Sequence, residues 1–336
     1  MEYSELENFN STLNLSSRFE DILMVFLIPA FSIFLIPLKL VSIVILRLII
    51  KRKKEIKHKA SQFYYLVTNE TCDLAETAIL CLAASLRCGS YCSFGYDYLT
   101  KILDLIFLIY GIPVMIQIKI FMEISFTIDR IKALKLTNTQ IRNGMKFRYK
   151  LAISLAVSLV VAVPNYLMPE IIQSVGILVT TNQTLYVISS RPVFQAYYWS
   201  IGLSIFNIIR ALGPILLLFI LNIKLIHEFN QKNKITKEEN RSTPEHQNSA
   251  EFKAKINELK ISKLVTAINV SYLVGYFPYS ISIILFLYFG STSSIYIYYF
   301  ALSRFLLIFC NYSYIFIFYK LSPSFKKSLL NTLKNL

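Results

Sequence analysis

The chain has 336 residues, of which 55% are hydrophobic and only 16% are charged. Soluble globular domains usually contain about 25% charged residues, so this composition argues against a water-soluble protein. A formal net charge of +15 could indicate a nucleic-acid-binding protein, but the basic residues lie in short segments between apolar runs. That distribution is typical of the loops of a membrane protein, and we therefore expect contact with lipid and none with nucleic acid.

Seven apolar runs are long enough for a helix to cross the hydrocarbon core of a bilayer. The predicted spans are 22–50, 61–86, 100–129, 151–169, 196–226, 262–289 and 295–319. Each is predicted to be a helix, because an isolated strand leaves its backbone groups unpaired in lipid. The predicted fold is therefore an all-α bundle of seven transmembrane helices, followed by a short amphipathic helix in the tail, 320–336.

Two connections are long enough to need a prediction of their own. Residues 170–195 are predicted to form a loop between the fourth and fifth helices. Residues 227–261 are polar and contain few aromatic side chains, so this stretch is predicted to be partly disordered.

The distribution of Lys and Arg predicts the orientation. The connections 51–60, 131–150 and 227–261 are basic, whereas the intervening ones contain few basic residues. The positive-inside rule places the basic connections and the C-terminus in the cytoplasm, and residues 1–21 outside the cell. Three glycosylation sequons fall on the predicted outer side, at Asn10, Asn14 and Asn182.

The five cysteines have no metal-binding spacing. Cys88 and Cys92 share a predicted outer loop, where they form either a local disulfide or two free thiols. The sequence contains no glycine-rich phosphate loop, no His-Glu-x-x-His and no plausible nucleophile–base pair. We therefore predict no metal, no cofactor and no enzymatic activity.

Several motifs lie at matching places in the predicted helices. Asp129 and Arg130 end the third helix, Pro278 interrupts the sixth, and Asp73 lies in the second. Together with the seven spans, these residues resemble rhodopsin-like G protein-coupled receptors. The resemblance implies a plasma-membrane receptor that binds an extracellular small-molecule or peptide ligand and activates a heterotrimeric G protein. It also implies that Tyr276 takes an aromatic switch position.

The same resemblance implies an inner lock between the third and sixth helices. In that family the arginine is held by acids at rest and contacts the G protein when active. Counting back about twenty residues from Pro278 leads to Glu258 as the partner of Arg130. The seventh helix lacks the usual Asn-Pro-x-x-Tyr, and residues 93–309 lack the cysteines of the usual disulfide. These departures resemble nematode serpentine chemoreceptors or divergent invertebrate neuropeptide receptors.

Ionisable side chains at membrane depth are costly, at about 2.5–3.5 kcal/mol each on insertion scales, so they are expected to have partners. Lys119 has two candidate partners, Asp73 in the second helix and Glu123 four residues later on the same helix face. The family commonly binds sodium near Asp73, so the resemblance implies that Lys119 could replace that ion. The sequence leaves both pairings open.

Two arginines at membrane depth, Arg210 and Arg304, admit two interpretations. Either they form a cationic pocket for an acidic ligand group, or Glu76 and Arg304 neutralise each other as a structural pair. Asn207 and Tyr276 are further candidates for the ligand site.

The resemblance also bears on the ligand and on other functional classes. Ile112 takes the position at which aminergic receptors have Asp, which argues against an amine ligand. The alternative functions are a transporter, although the chain shows no matched half-repeats, and a channel subunit of the insect odorant-receptor kind, which has the opposite orientation.

Overall fold

The computed structural model describes residues 22, 27–55, 61–87, 98–135, 147–167, 169–178, 181–190, 197–242, 250–289 and 293–334. These residues form eight helices and one antiparallel hairpin. The helices are α1 (Ile28–Glu55), α2 (Ser61–Arg87), α3 (Tyr98–Lys135), α4 (Phe147–Leu167), α5 (Tyr197–Ser242), α6 (Ala250–Phe289), α7 (Ser294–Leu321) and α8 (Pro323–Lys334). The hairpin consists of β1 (Pro169–Leu178) and β2 (Thr181–Ser190).

The predicted helical architecture is confirmed. Five helices, α1, α3, α5, α6 and α7, are long and apolar enough to cross a membrane, which indicates a membrane protein. Among the described residues, α2 and α4 do not meet the same criterion of length and composition. In α2 the reason is chemical, because three carboxylates, Glu70, Asp73 and Glu76, lie in the middle of the helix.

The long helices close into a bundle around α3. Successive contacts run from α1 to α2, α3, α5, α6 and α7, and α7 returns to α1. α3 also contacts α4 and α6, and most of its side chains between Ile112 and Leu134 are buried. Large apolar side chains such as Phe34, Val160 and Ile209 are instead more than 60% exposed on the outside. A bundle with an apolar exterior is what a lipid environment requires.

Within α3, the hydrogen-bonding pattern changes at Asp104–Gly111, where the helix is π rather than α. Regular α-helix lies on both sides, at Tyr98–Leu103 and Ile112–Lys135. Segments of this kind are often found at functional sites. The π segment ends two residues before Pro113, which lines a small cavity described below.

The segment predicted as a loop, 170–195, contains most of the hairpin. Pro169 pairs with Ser190 at its open end, and Leu178 pairs with Thr181 at the turn. Both strands are rich in β-branched residues, which favour a pleated backbone. This local signal for strands lies outside the apolar runs from which the helices were predicted, and so the hairpin was not expected.

Within the stretch 227–261, which was predicted to be partly disordered, the described residues 227–242 and 250–261 are helical. α5 continues to Ser242, and α6 begins at Ala250. Lys, Glu and Gln are good helix formers, so loss of hydrophobicity does not end a helix. The extension of α5 is also tied to α3, because Glu228 lies 2.9 Å from Lys135 and Lys232 Nζ donates to the Leu134 carbonyl at 2.8 Å.

The tail forms the amphipathic helix that was predicted. Ser322 caps α8, accepting a hydrogen bond at its Oγ from the backbone N–H of Phe325 at 3.3 Å. The Phe325 side chain is fully buried, with its ring 5.5 Å from that of Phe318, whereas Lys326 and Lys327 are exposed. α8 packs on α1 and α7 and therefore lies at the same end of the bundle as the end of α7.

Candidate functional site

A buried lysine joins four helices in the middle of the bundle. Lys119 of α3 is 1% exposed, and its Nζ donates hydrogen bonds to Asp73 of α2 and to the Tyr276 hydroxyl of α6. The same nitrogen lies 3.6 Å from Glu76 Oε2 and 3.4 Å from Asn311 Oδ1 of α7. One ammonium group thus holds α2, α3, α6 and α7 together.

A second buried lysine, Lys39 of α1, extends this network. Its Nζ lies 3.0 Å from Asp73 Oδ2 and 3.0 Å from Glu70 Oε2, and it sits 5.0 Å from the centre of the Tyr314 ring. Lys39 and Glu70 were missed in the sequence analysis. The signal was present, because Lys39 lies within the first apolar run and Glu70 lies three residues before Asp73, on the same helix face.

Glu123 is buried beside this network but is not paired with Lys119. The Asn69 side-chain nitrogen donates to Glu123 Oε1, while Glu123 Oε2 has no hydrogen-bond partner. Of the two pairings that the sequence allowed, the structure therefore contains Lys119 with Asp73. Two carboxylates on α2, Asp73 and Glu76, attract the ammonium across the helix interface more strongly than the single carboxylate on its own helix.

The formal charges of the buried network do not balance. Two lysines, Lys39 and Lys119, face four carboxylates, which leaves two negative charges in excess. These carboxylates are Glu70, Asp73, Glu76 and Glu123, all at most 2% exposed. Burial of unpaired charge is costly, so the network is sensitive to any change in the position of either lysine.

Tyr276 is the α6 member of the network. Its hydroxyl donates to Glu76 Oε2 at 3.2 Å and accepts from Lys119, and its ring stacks on Tyr272 with centroids 4.0 Å apart. Pro278 follows two residues later within α6, where it removes a backbone hydrogen bond and weakens the helix locally. Movement of this part of α6 would disturb the charged network directly.

At the end of α3 the structure brings Arg130 and Glu258 together. Arg130 Nη1 of α3 lies 2.7 Å from Glu258 Oε2 of α6. The neighbouring Asp129 turns instead to α2 and α4, where it accepts hydrogen bonds from Tyr65 at 2.8 Å and from Lys150 at 2.5 Å. We refer to this part of the molecule as the Arg130 end.

A smaller polar cluster lies between the charged network and the Arg130 end. Asn269 of α6 donates to Thr127 of α3 at 2.9 Å and to Asn222 of α5 at 3.4 Å. Thr127 also donates to the carbonyl oxygen of Glu123, 2.7 Å away. Polar contacts between α3 and α6 therefore recur along the length of the bundle.

The opposite end contains Arg210 and Arg304, and Arg304 does not form the direct ion pair with Glu76 that was considered. Glu76 contacts Lys119 and Tyr276, and within the described residues no carboxylate lies within 4.0 Å of either guanidinium. Arg304 instead donates to the Tyr279 hydroxyl at 3.4 Å. Glu76 and Arg304 therefore form no direct ion pair, because Lys119 contacts that carboxylate, although the Arg304 charge still acts on Glu76 at longer range.

The remaining candidates are placed less centrally. Ile112 is fully buried, and Asn207 has a buried side-chain oxygen without a hydrogen-bond partner, but neither lines the cavity beside Arg210. Asn182 lies in β2, paired with Ile177. Four candidates fall outside the described residues: Asn10, Asn14, Cys88 and Cys92.

No metal-binding site is evident in the part of the chain that the structure describes. There, no group of three or more His, Cys, Asp or Glu side chains is arranged to hold a metal ion. The ammonium groups of Lys39 and Lys119 lie between the buried carboxylates.

No protein-family model and no curated protein matches this sequence.

Proposed function

We propose that the chain is a plasma-membrane receptor of the rhodopsin-like G protein-coupled class, which binds an extracellular chemosensory or peptide ligand and activates a heterotrimeric G protein. The observation that carries this proposal is the ion pair between Arg130 and Glu258, 2.7 Å apart, which joins α3 to α6. Opening that contact would separate the ends of the two helices and expose a surface for the G protein.

The burial of charge in α2 supports a count of seven crossings. The carboxylates of Glu70, Asp73 and Glu76 are 1%, 0% and 2% exposed, because all three face the interior of the bundle. The outer face of α2 can therefore meet lipid in spite of its acidic composition. α4 presents Ile153, Leu159 and Val160 on its outside. With these two helices, seven crossings place the N-terminus and the C-terminus on opposite sides.

This topology makes a direct prediction about the two sides of the membrane. A tag at the C-terminus should be protected from protease added to intact cells, and Asn10, Asn14 or Asn182 should carry glycan. Tag digestion before and after permeabilisation, with glycosidase treatment of Asn→Gln variants, measures both. Digestion of the tag in intact cells would contradict the receptor and would favour a channel of the odorant-receptor kind, which has the opposite orientation.

The polar contacts of α6 support a route from one end of the bundle to the other. Tyr276 touches the buried network, Asn269 contacts Thr127, and Glu258 holds Arg130. All three α6 side chains pair with α3, so a shift of α6 relative to α3 would alter them together. Pro278 provides a weak point in α6 at which such a shift can begin.

Replacing Glu258 with Gln is expected to raise signalling in the absence of ligand. Glu258 is partly exposed, and such ion pairs contribute up to about 1 kcal/mol, so the shift towards the active state should be at most about fivefold. Sensors covering each G protein class would measure basal activation at matched surface expression. Unchanged basal activity at equal expression would count against the lock.

A matched control for this variant is Glu228→Gln. Glu228 pairs with Lys135 at 2.9 Å, which links α5 rather than α6 to α3. We expect its removal to leave basal activity unchanged. An equal rise in both variants would indicate that general loosening, rather than release of α6, activates the protein.

A further inference from the structure

Two arginine side chains from different helices approach the same tyrosine at the end of the bundle away from Arg130. Arg304 of α7 has its Nη2 3.4 Å from the Tyr279 hydroxyl and its Cζ 4.9 Å from the centre of the Tyr279 ring. Arg210 of α5 and Tyr279 of α6 line one small cavity. Three helices thus contribute a guanidinium, a phenol and a second guanidinium to one region.

Both arginines have buried donors that are not used. Arg210 Nη1 is buried without a hydrogen-bond partner, and the same is true of Arg304 Nε and Nη1. Among the described residues neither guanidinium forms an ion pair within 4.0 Å, although Glu76 acts on Arg304 at longer range, and arginine does not lose its proton in proteins. Both side chains are half-buried, and a guanidinium that is partly removed from water without a direct ion pair is costly, so this region is suited to an anion.

The cavity itself is small and mostly apolar. Its volume is about 30 Å³, and its walls include Ile116, Ile120 and Ile215. About 10–15 Å³ of such space holds one water molecule, so there is room for roughly two water-sized groups. The two oxygens of one carboxylate match the planar fork of arginine.

A neighbouring amide adds a second polar feature to the wall. Gln117 of α3 donates its Nε2 to the backbone carbonyl of Arg210 at 3.2 Å, and its Oε1 is buried without a partner. Gln117 therefore fixes the backbone from which Arg210 extends. A few polar groups in an apolar wall are typical of a ligand-binding pocket.

We propose that the ligand carries a carboxylate, and that this group binds between Arg210 and Arg304 beside Tyr279. The proposal rests on the receptor function proposed above, but binding itself requires no G protein. Tyr279 lies one helical turn after Tyr276, whose hydroxyl contacts Lys119. A carboxylate that draws the two arginines together would therefore act on α6 next to the buried network.

The test uses purified full-length protein and small anions that fit the cavity. Formate and acetate should raise the melting temperature relative to chloride at the same ionic strength and pH. The Arg210→Gln/Arg304→Gln variant should lose this difference and, because it lacks two poorly compensated buried charges, should melt no lower than the native protein in chloride. Arg47→Gln, at an exposed position of α1, should retain the difference.

Further ligands identify the kind of molecule that carries the carboxylate. Conservative variants separate a loss of binding from a loss of folding. Hexanoate and benzoate represent small organic acids, peptides ending in a free acid represent peptide ligands, and each is compared with its amide. Arg210→Lys and Arg304→Lys preserve charge without the planar fork and should weaken the acetate effect.

Equal melting temperatures in acetate and chloride for the native protein would overturn the proposal, as would an acetate effect that survives in the double variant. The receptor function would remain testable in that case through basal signalling of Glu258→Gln. Conversely, a carboxylate effect without any G protein activation would support the binding site and contradict the receptor function.

Discussion

Replacing Lys119 with Met is expected to lower the free energy of unfolding by about 3–5 kcal/mol, because removing one partner leaves buried carboxylates unpaired. Lys119 contacts Asp73, Glu76, Tyr276 and Asn311. Asp73 would keep Lys39 at 3.0 Å, whereas Glu76 would retain the hydrogen bond from the Tyr276 hydroxyl and, among the described residues, no cation within 4.0 Å. Thermal unfolding of the purified protein and its surface expression would both report the loss.

Because the two carboxylates differ in the partners they keep, neutralising one of them should restore more of the lost stability than neutralising the other. Lys119→Met combined with Glu76→Gln should recover more stability than Lys119→Met combined with Asp73→Asn, since Asp73 still has a cation beside it. Lys132→Met, at an exposed position of the same helix, is the control and should change stability little. If Lys119→Met unfolds at the native temperature, the buried ion pairs do not hold the bundle together.

Replacing Gly275 with Ala is expected to destabilise the contact between α6 and α7. A Cβ at this position would lie 2.9 Å from Cys310 Cβ and 3.4 Å from Leu307 Cα. Neither atom belongs to the flexible end of a side chain, so the helices must separate. Overpacking of this kind costs about 1–3 kcal/mol, and Gly275→Leu should cost more. Unfolding of the purified variants measures the difference.

Two further substitutions distinguish a direct clash at Gly275 from a general loss of stability. Gly202→Ala has nothing within 4 Å of the added Cβ, so it should be neutral or stabilising by up to about 1 kcal/mol, as expected for Ala over Gly in a helix. Cys310→Gly removes the atoms that Gly275→Ala meets, and the pair should be less destabilising together than the sum of the single changes. Strict additivity would contradict a direct clash.

The presence of the long helices could be predicted from the sequence, because a run of about 20 apolar residues is visible in consecutive positions of the chain. The ends were not, since α5 and α6 continue into polar segments that form helix equally well. The hairpin was missed for a related reason, because its β-branched residues form strands outside the apolar runs on which the prediction depended.

The candidate site shows a different limit. The prediction that Glu258 is the partner of Arg130 came from the resemblance to the receptor family, in which an acid lies about twenty residues before the proline of the sixth helix, and the two side chains are 2.7 Å apart in the structure. Pairing among several buried charges depends on which helix faces meet. Lys39 could be assigned to Asp73 only once α1 and α2 were known to pack, and its omission left Glu76 free for Arg304 in the sequence analysis.

The arrangement of charges also bears on how the protein is made. In the proposed topology α2 enters the bilayer before α3 has been synthesised, and each carboxylate near the centre of a helix opposes insertion by about 2.5–3.5 kcal/mol. At that moment Glu70 and Asp73 have Lys39 as a partner, and Glu76 still awaits Lys119. In that topology we expect α1 to assist the insertion of α2 during biosynthesis, and a nascent chain that ends before α3 should be a substrate for membrane quality control.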